Sequence, residues 1–303
     1  MSARVLPLLL ASLLAIAGLI GCSDAGPGKT ATGKLRVVAA ESTWGSIAAQ
    51  IGGDRVEVTD IISNPAADPH DYEPTSEDAR AIAGAQLAFV NGIGYDFWAT
   101  DLIEANPAPP KVVEVGRVGA LGVGDNPHQW YSPAAVRRVA ARMNLVYRIA
   151  EPEGAAYFRQ RRLHFERVGL REYDELIARI RSRFGGTPVG ASEGIFAPLA
   201  SALGLRLVTP PGFLHAVSEG TEPTPADKTA ADRQIADRQI AVWVYNSQNT
   251  TPDVQRLNDA AEAAGIPVTR VTEMPTPEGV SFQVWQVRQL RSLEAALEKA
   301  RGR

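Results

Sequence analysis

Short runs rich in β-branched residues alternate with helical stretches in two separate series, and one long stretch of helical spacing lies between them. This alternation constrains the fold most, because strands joined by crossover helices build parallel sheets with helices on their faces. In the first series the expected strands are 35–40, 56–62, 87–91 and 111–115, with helices over 43–51, 75–83 and 95–104. In the second, strands are expected over 188–191, 205–209, 241–245 and 266–271, with helices over 196–202, 224–238, 251–264 and 281–300. From Glu153 to Phe184 there is no proline, and Tyr173, Leu176, Ile177, Ile180 and Phe184 recur at helical spacing. A continuous helix there would run about 48 Å at 1.5 Å per residue, enough to bridge two lobes. The expected fold class is therefore α/β: two parallel-sheet lobes, 34–150 and 187–303, joined by one long rigid backbone helix within 151–186. Ala-Asp-Arg-Gln-Ile occurs twice in tandem, at 231–235 and 236–240, and reads as a small duplication.

The first 21 residues read as an export signal. Arg4 is their only charge, the run from Val5 to Ile20 is almost wholly apolar, and it ends at small residues. Leu19-Ile20-Gly21-Cys22 resembles the lipobox of bacterial lipoproteins, whose cysteine is acylated and becomes the mature N-terminus. Cys22 is the one cysteine in the chain, so no intramolecular disulfide forms and thiolate metal ligands are excluded from the folded body. Residues 22–33, rich in Gly, Ser, Thr and Ala, read as a flexible tether. Loss of Arg4 with the signal takes the formal charge from −3 to −4. That mild acidity points to no nucleic-acid partner.

Two of the four histidines sit in matching Pro-His loops, after the second and fourth expected strands. One loop reads Asp68-Pro69-His70-Asp71-Tyr72-Glu73 and the other Asn126-Pro127-His128-Gln129-Trp130. Proline stiffens the backbone beside each imidazole. A pre-aimed imidazole among oxygen donors is what a metal site needs. Glu193 and Glu273 follow expected strands of the second half. All four positions therefore fall at carboxyl ends of strands, where α/β sheets place their sites. If the halves face one another, the four side chains converge in the cleft, and two imidazoles, two carboxylates and a dication sum to zero charge. Such a set suits zinc, manganese or ferrous iron. Asp71 and Glu73 are candidates to orient His70, since ligating imidazoles usually donate their other N–H to an acceptor. Glu193 has a second reading as a cap of the helix that follows. Glu273 has one as a solvated loop charge, and Glu278 is a poorer substitute for it. His164 and His215 are not candidate ligands, and Trp44, Trp98, Trp243 and Trp285 are expected in the core.

From the lipobox to the last helix, the chain resembles the cluster A-I solute-binding lipoproteins of bacterial ABC importers for zinc and manganese. The matching motifs are Pro69-His70-Asp71-Tyr72-Glu73-Pro74, Asn126-Pro127-His128-Gln129-Trp130, Ser192-Glu193-Gly194-Ile195-Phe196 and Val244-Tyr245-Asn246-Ser247-Gln248. The resemblance implies a monomeric, non-enzymatic receptor, lipid-anchored at the extracytoplasmic face of the bacterial cell membrane. It would bind one Zn2+ or Mn2+ between its lobes and deliver it to an ABC permease. His70 and His128 match the two histidine ligands of the N-terminal lobe. Glu193 matches the third position, which is glutamate in manganese-type members and histidine in many zinc-type ones. The fourth ligand is usually aspartate, and here the sequence departs by offering Glu273, one methylene longer. Glu273 then binds after a small loop shift, or water takes its place. The His-rich loop of many zinc-importing relatives is missing, since Val115–Asn126 is short and holds no histidine. The rival readings are a secreted metallohydrolase built on two histidines and a carboxylate, and an adhesin whose metal only stabilises the fold.

Overall fold

The computed structural model of the chain describes residues 33–67, 69 and 72–302. The signal segment, Cys22, the tether up to residue 32, His70 and Asp71 lie outside the described residues.

The first half runs β1 (Leu35–Glu41), α1 (Ser42–Gly52), β2 (Val56–Ile62), α2 (Ser76–Gly84), β3 (Leu87–Val90), α3 (Phe97–Glu104), β4 (Lys111–Glu114) and the single turn α4 (Val115–Val118). Three helices then follow: α5 (Pro133–Ala150), α6 (Ala155–His164) and α7 (Arg171–Phe184). The second half runs β5 (Pro188–Ala191), α8 (Ala197–Ala202), β6 (Arg206–Leu207), α9 (Pro211–Ser218), α10 (Pro225–Ala236), β7 (Val242–Asn246), α11 (Pro252–Ala263), β8 (Val268–Val271) and α12 (Phe282–Arg301). Both sheets are parallel, and their strand orders correspond: β2-β1-β3-β4 and β6-β5-β7-β8. Each order reverses direction in its middle, between β1 and β3 and between β5 and β7. The crevice beyond the carboxyl ends of those strands is where such sheets bind ligands.

Local chemistry sets the helix starts. Ser132, Thr224 and Thr251 each accept a backbone N–H as N-cap, and proline follows in the first turn of α5, α10 and α11. Thr75 and Asp78 form a reciprocal capping box that opens α2. Proline also opens α9, which is not among the helices expected from the sequence. Pro210-Pro211-Gly212 reads as a breaker, yet proline is tolerated in a first helical turn. Gly212 is there for space, since a Cβ would come within 2.7 Å of Asp227 Oδ2. In the tandem duplication, α10 ends at Ala236 and Arg238 adopts φ 52°. That turn returns the second isoleucine to the core, so Ile235 and Ile240 are buried in one cluster.

The linking stretch is helical from Ala155 to Gly169 and again from Arg171 to Phe184, with a π turn over Phe165–Gly169 and a turn at Leu170 between the two parts. The cause is packing. In a regular α-helix, residues five apart point about 140° from one another. The Leu170 N–H instead bonds the Phe165 carbonyl at 2.9 Å, and both side chains are buried. α12 packs along α7 and also touches α1.

One apolar cluster threads both halves. It joins Leu35 and Phe89 of the first sheet to Tyr147, Phe158, Phe165 and Tyr173, then to Val189 and Val244 of the second sheet and Phe282 and Trp285 of α12. Two smaller clusters cover the outer faces of the sheets. The one on the first sheet contains Met274, which follows β8 of the second and is fully buried. All four tryptophans expected in the core are buried.

Because the main core crosses both halves, guanidinium unfolding should give one cooperative transition, coincident by far-UV and near-UV circular dichroism. Met274→Ala should lower the unfolding free energy by about 2–5 kcal/mol, as truncation of a buried methionine does. Two separated transitions, or a variant as stable as the wild type, would contradict this picture.

Candidate metal centre

Pro127 and the short 3-10 turn Gln129–Tyr131 hold His128 in place, and its side chain is buried. Asn126 Oδ1 accepts both the His128 backbone N–H, at 3.0 Å, and ring Nδ1, at 2.9 Å. The Asn126 amide nitrogen donates to the Gly194 carbonyl at 2.7 Å, which fixes its oxygen as the acceptor. The proton thereby belongs on Nδ1, and Nε2 is left to face the Glu273 carboxylate. The rings of Tyr95 and Trp130 meet the imidazole edge to face, with centroids 6.0 and 5.3 Å away. Asn91 anchors the loop by donating to the Pro127 carbonyl at 3.1 Å, while Trp44 Nε1 donates to the Asn91 oxygen.

Glu193 follows β5 in extended conformation and is 1% exposed. It does not cap the turn after it. Its Oε1 accepts from Asn246 Nδ2 at 2.5 Å and its Oε2 from Asn249 Nδ2 at 2.8 Å. Glu273 follows β8 and is buried as well, so it is not a solvated loop charge. Its Oε1 accepts from the same Asn246 Nδ2 at 2.8 Å, and its Oε2 accepts from the Tyr95 hydroxyl at 3.0 Å. His128 Nε2 lies 3.5 Å from that Oε2. The Glu273 backbone is fixed too, with Gln248 Oε1 taking its N–H and Thr43 donating to its carbonyl. The Tyr131 hydroxyl, from the His128 turn, sits 2.8 Å from the Thr272 carbonyl and 2.7 Å from Gln289 Oε1.

Three of the four residues expected as ligands thus come together across the two halves. Among the described residues, no three His, Cys, Asp or Glu side chains close into a cluster able to hold an ion. The Asn246 amide lies between the two carboxylates. A cleft of about 380 Å³ opens over them, lined by Pro69, Gly94 and Phe97 from the first half and by Glu193, Glu219, Gln248, Asn249 and Glu273 from the second. Pro69, the residue before His70, is buried at this wall. Glu73 is exposed, and so is Glu278. His164 is exposed on α6, and His215 on α9 has its Nδ1 4.0 Å from Glu219 Oε1.

Electrostatics reflect the crowding. Burial, then the neighbouring Glu273 charge, pushes the Glu193 carboxyl up to about 7. For His128, burial works to lower the pKa, but the Glu273 and Glu193 carboxylates outweigh it and the net shift is upward. A buried pair of carboxylates beside an imidazole holds proton or cation in preference to standing bare. Nitrogen and carboxylate donors of this kind suit borderline to hard divalent ions.

Asn246, Asn249, Tyr95 and Asn126 are not among the site residues expected from the sequence. For Asn246 a signal existed, because Val-Tyr-Asn-Ser-Gln closes an expected strand in the second half, as the segment before Glu193 does.

The family described as "Zinc-uptake complex component A periplasmic" matches residues 37–296. The manganese-binding lipoprotein MntA of Halalkalibacterium halodurans is 33% identical over 47% of this chain and 48% of its own length. That alignment thus spans about half of the relative. The metal ABC transporter substrate-binding lipoprotein FimA of Streptococcus parasanguinis is 26% identical over 88% of this chain and 87% of its own. Among solved structures, a Mn-bound mutant of a periplasmic metal-binding protein from Candidatus Liberibacter asiaticus shares the fold. It aligns with a TM-score of 0.74 and 21% identity, covering 87% of this chain and 100% of that one. The chain belongs to the zinc-uptake complex component A family.

The raised Glu193 pKa sets a pH dependence. Its folded value lies above the ordinary 4.5, so its contribution to stability is full below about 4.5 and lost as pH rises through about 7. In chelator-treated protein, Glu193→Gln should remove that loss. Relative to the wild type, the variant should gain unfolding free energy between pH 5 and pH 8, as denaturant titrations would read. A parallel pH profile for the two proteins would rule the assignment out.

Proposed function

We propose that this protein captures one divalent transition-metal ion, Mn2+ or Zn2+, between its two lobes and delivers it to the permease of an ABC importer. In this reading a lipid on Cys22 holds it at the extracytoplasmic face of the membrane, and His70, His128, Glu193 and Glu273 ligate the ion. The observation that carries the reading is the meeting, in one buried place, of His128 from the first half with Glu193 and Glu273 from the second. Family membership supports the transport role.

The burial also weighs against hydrolysis. A catalytic metal keeps an open position for water, whereas His128 and Glu193 are each 1% exposed. Capture gains from enclosure, because every charge-assisted contact strengthens where water is excluded. Between the two ions, two carboxylates lean toward manganese by hardness, while raw affinity at such ligands favours zinc. Availability and geometry then decide.

Replacement of both His70 and His128 by alanine should abolish stoichiometric binding of Mn2+ and of Zn2+ in calorimetric titrations, with the far-UV circular dichroism unchanged. Binding at wild-type stoichiometry and strength in the double variant would move the site elsewhere. Competition between the two ions on the wild type then gives the preference directly.

A further inference from the structure

Asn246 ends β7 with its side chain fully buried and its polar groups matched to defined partners. Its backbone N–H donates to Ser192 Oγ at 3.0 Å, and its Oδ1 accepts the Gln248 N–H at 3.0 Å. That second bond fixes the amide orientation, so the NH2 group and not the oxygen faces the two carboxylates. The two hydrogens of this group then go to two different carboxylates, Glu193 Oε1 at 2.5 Å and Glu273 Oε1 at 2.8 Å. One neutral donor thus sits where two anions converge, touching one oxygen of each proposed ligand.

We propose that the Asn246 amide is a built-in stand-in for the cation, holding Glu193 and Glu273 together in the ion-free protein and giving up those oxygens when the ion arrives. The inference rests on the metal-capture reading. Two carboxylates so close repel one another, and each needs a donor once buried. The remaining oxygens have partners of their own, Asn249 for Glu193 and Tyr95 for Glu273. An ion placed between the two carboxylates would compete with Asn246 for these Oε1 atoms, while Glu273 Oε2 faces His128 Nε2 at 3.5 Å. A stand-in of this kind keeps the receptor folded before loading, at the expense of affinity, because binding must first undo two hydrogen bonds.

The test uses the mature chain carrying Asn246→Ala and, separately, Asn246→Leu. Leucine keeps the volume and excludes a water that could replace the lost donor. Mn2+ is titrated at pH 8 against a competing chelator, and Tm is read with and without the ion. Loss of the stand-in should lower the Tm of the chelator-treated variants, tighten the Mn2+ Kd several-fold, and enlarge the Tm rise on adding Mn2+. A residue that only positions the carboxylates would give the opposite change, so a Kd equal to or weaker than wild type in both variants overturns the proposal while leaving metal capture intact. A variant unfolded without ion supports it if Mn2+ restores the fold, and counts against it otherwise. Wild-type protein that binds neither Mn2+ nor Zn2+ stoichiometrically would overturn the capture reading, and this inference with it.

Discussion

Two carboxylates buried side by side make the demand that the rest of this molecule answers. Charge taken out of water is costly unless donors or a counter-charge meet it. Glu193 and Glu273 are met by the amides of Asn246 and Asn249, the phenol of Tyr95 and the imidazole of His128. These groups come from the end of β7 and from loops after β3, β4, β5, β7 and β8, and neither sheet alone supplies the set. Two corresponding strand orders, with their carboxyl ends turned toward one cleft, bring them within reach.

Holding such a set still requires that the two sheets not wander. The apolar cluster running from Phe89 through the linking helices to Val244 and Trp285 provides that rigidity. The π turn belongs to the same solution, since it brings both Phe165 and Leu170 into the core. Polar clasps add direction. Asn126 ties the His128 loop to Gly194, beside Glu193, and Tyr131 ties it to Thr272, beside Glu273. Each proposed ligand of the second half thus has a neighbour bonded to the loop that carries the imidazole.

Much of this is legible in the sequence, for physical reasons. β-branched runs broken by turn residues mark strands whatever surrounds them, and β2 and β5 fall where periodicity places them. The Pro-His dipeptide announces a stiff loop, and Glu193 announces itself by its place after a strand. What stays hidden depends on tertiary approach. An asparagine at a strand end looks alike whether it faces water or two carboxylates, so its place marks Asn246 as near the site but does not show it as a bridge. Burial of Glu273 is not readable from Val-Thr-Glu-Met-Pro, because it follows from Met274 entering a cluster on the first sheet. Helical spacing places Tyr95 inside a helix, yet α3 begins at Phe97, and that short delay lets the phenol reach Glu273.

Met274 has a mechanical consequence. It is the very next residue after Glu273, and it is buried in the cluster that also holds Val38, Val90 and Trp98 of the first half. Prising the halves apart would draw this plug into water, at about 1.5–3 kcal/mol for a methionine-sized side chain. In the proposed capture role, opening of the cleft is thus latched one residue away from Glu273, at the seam between the two halves.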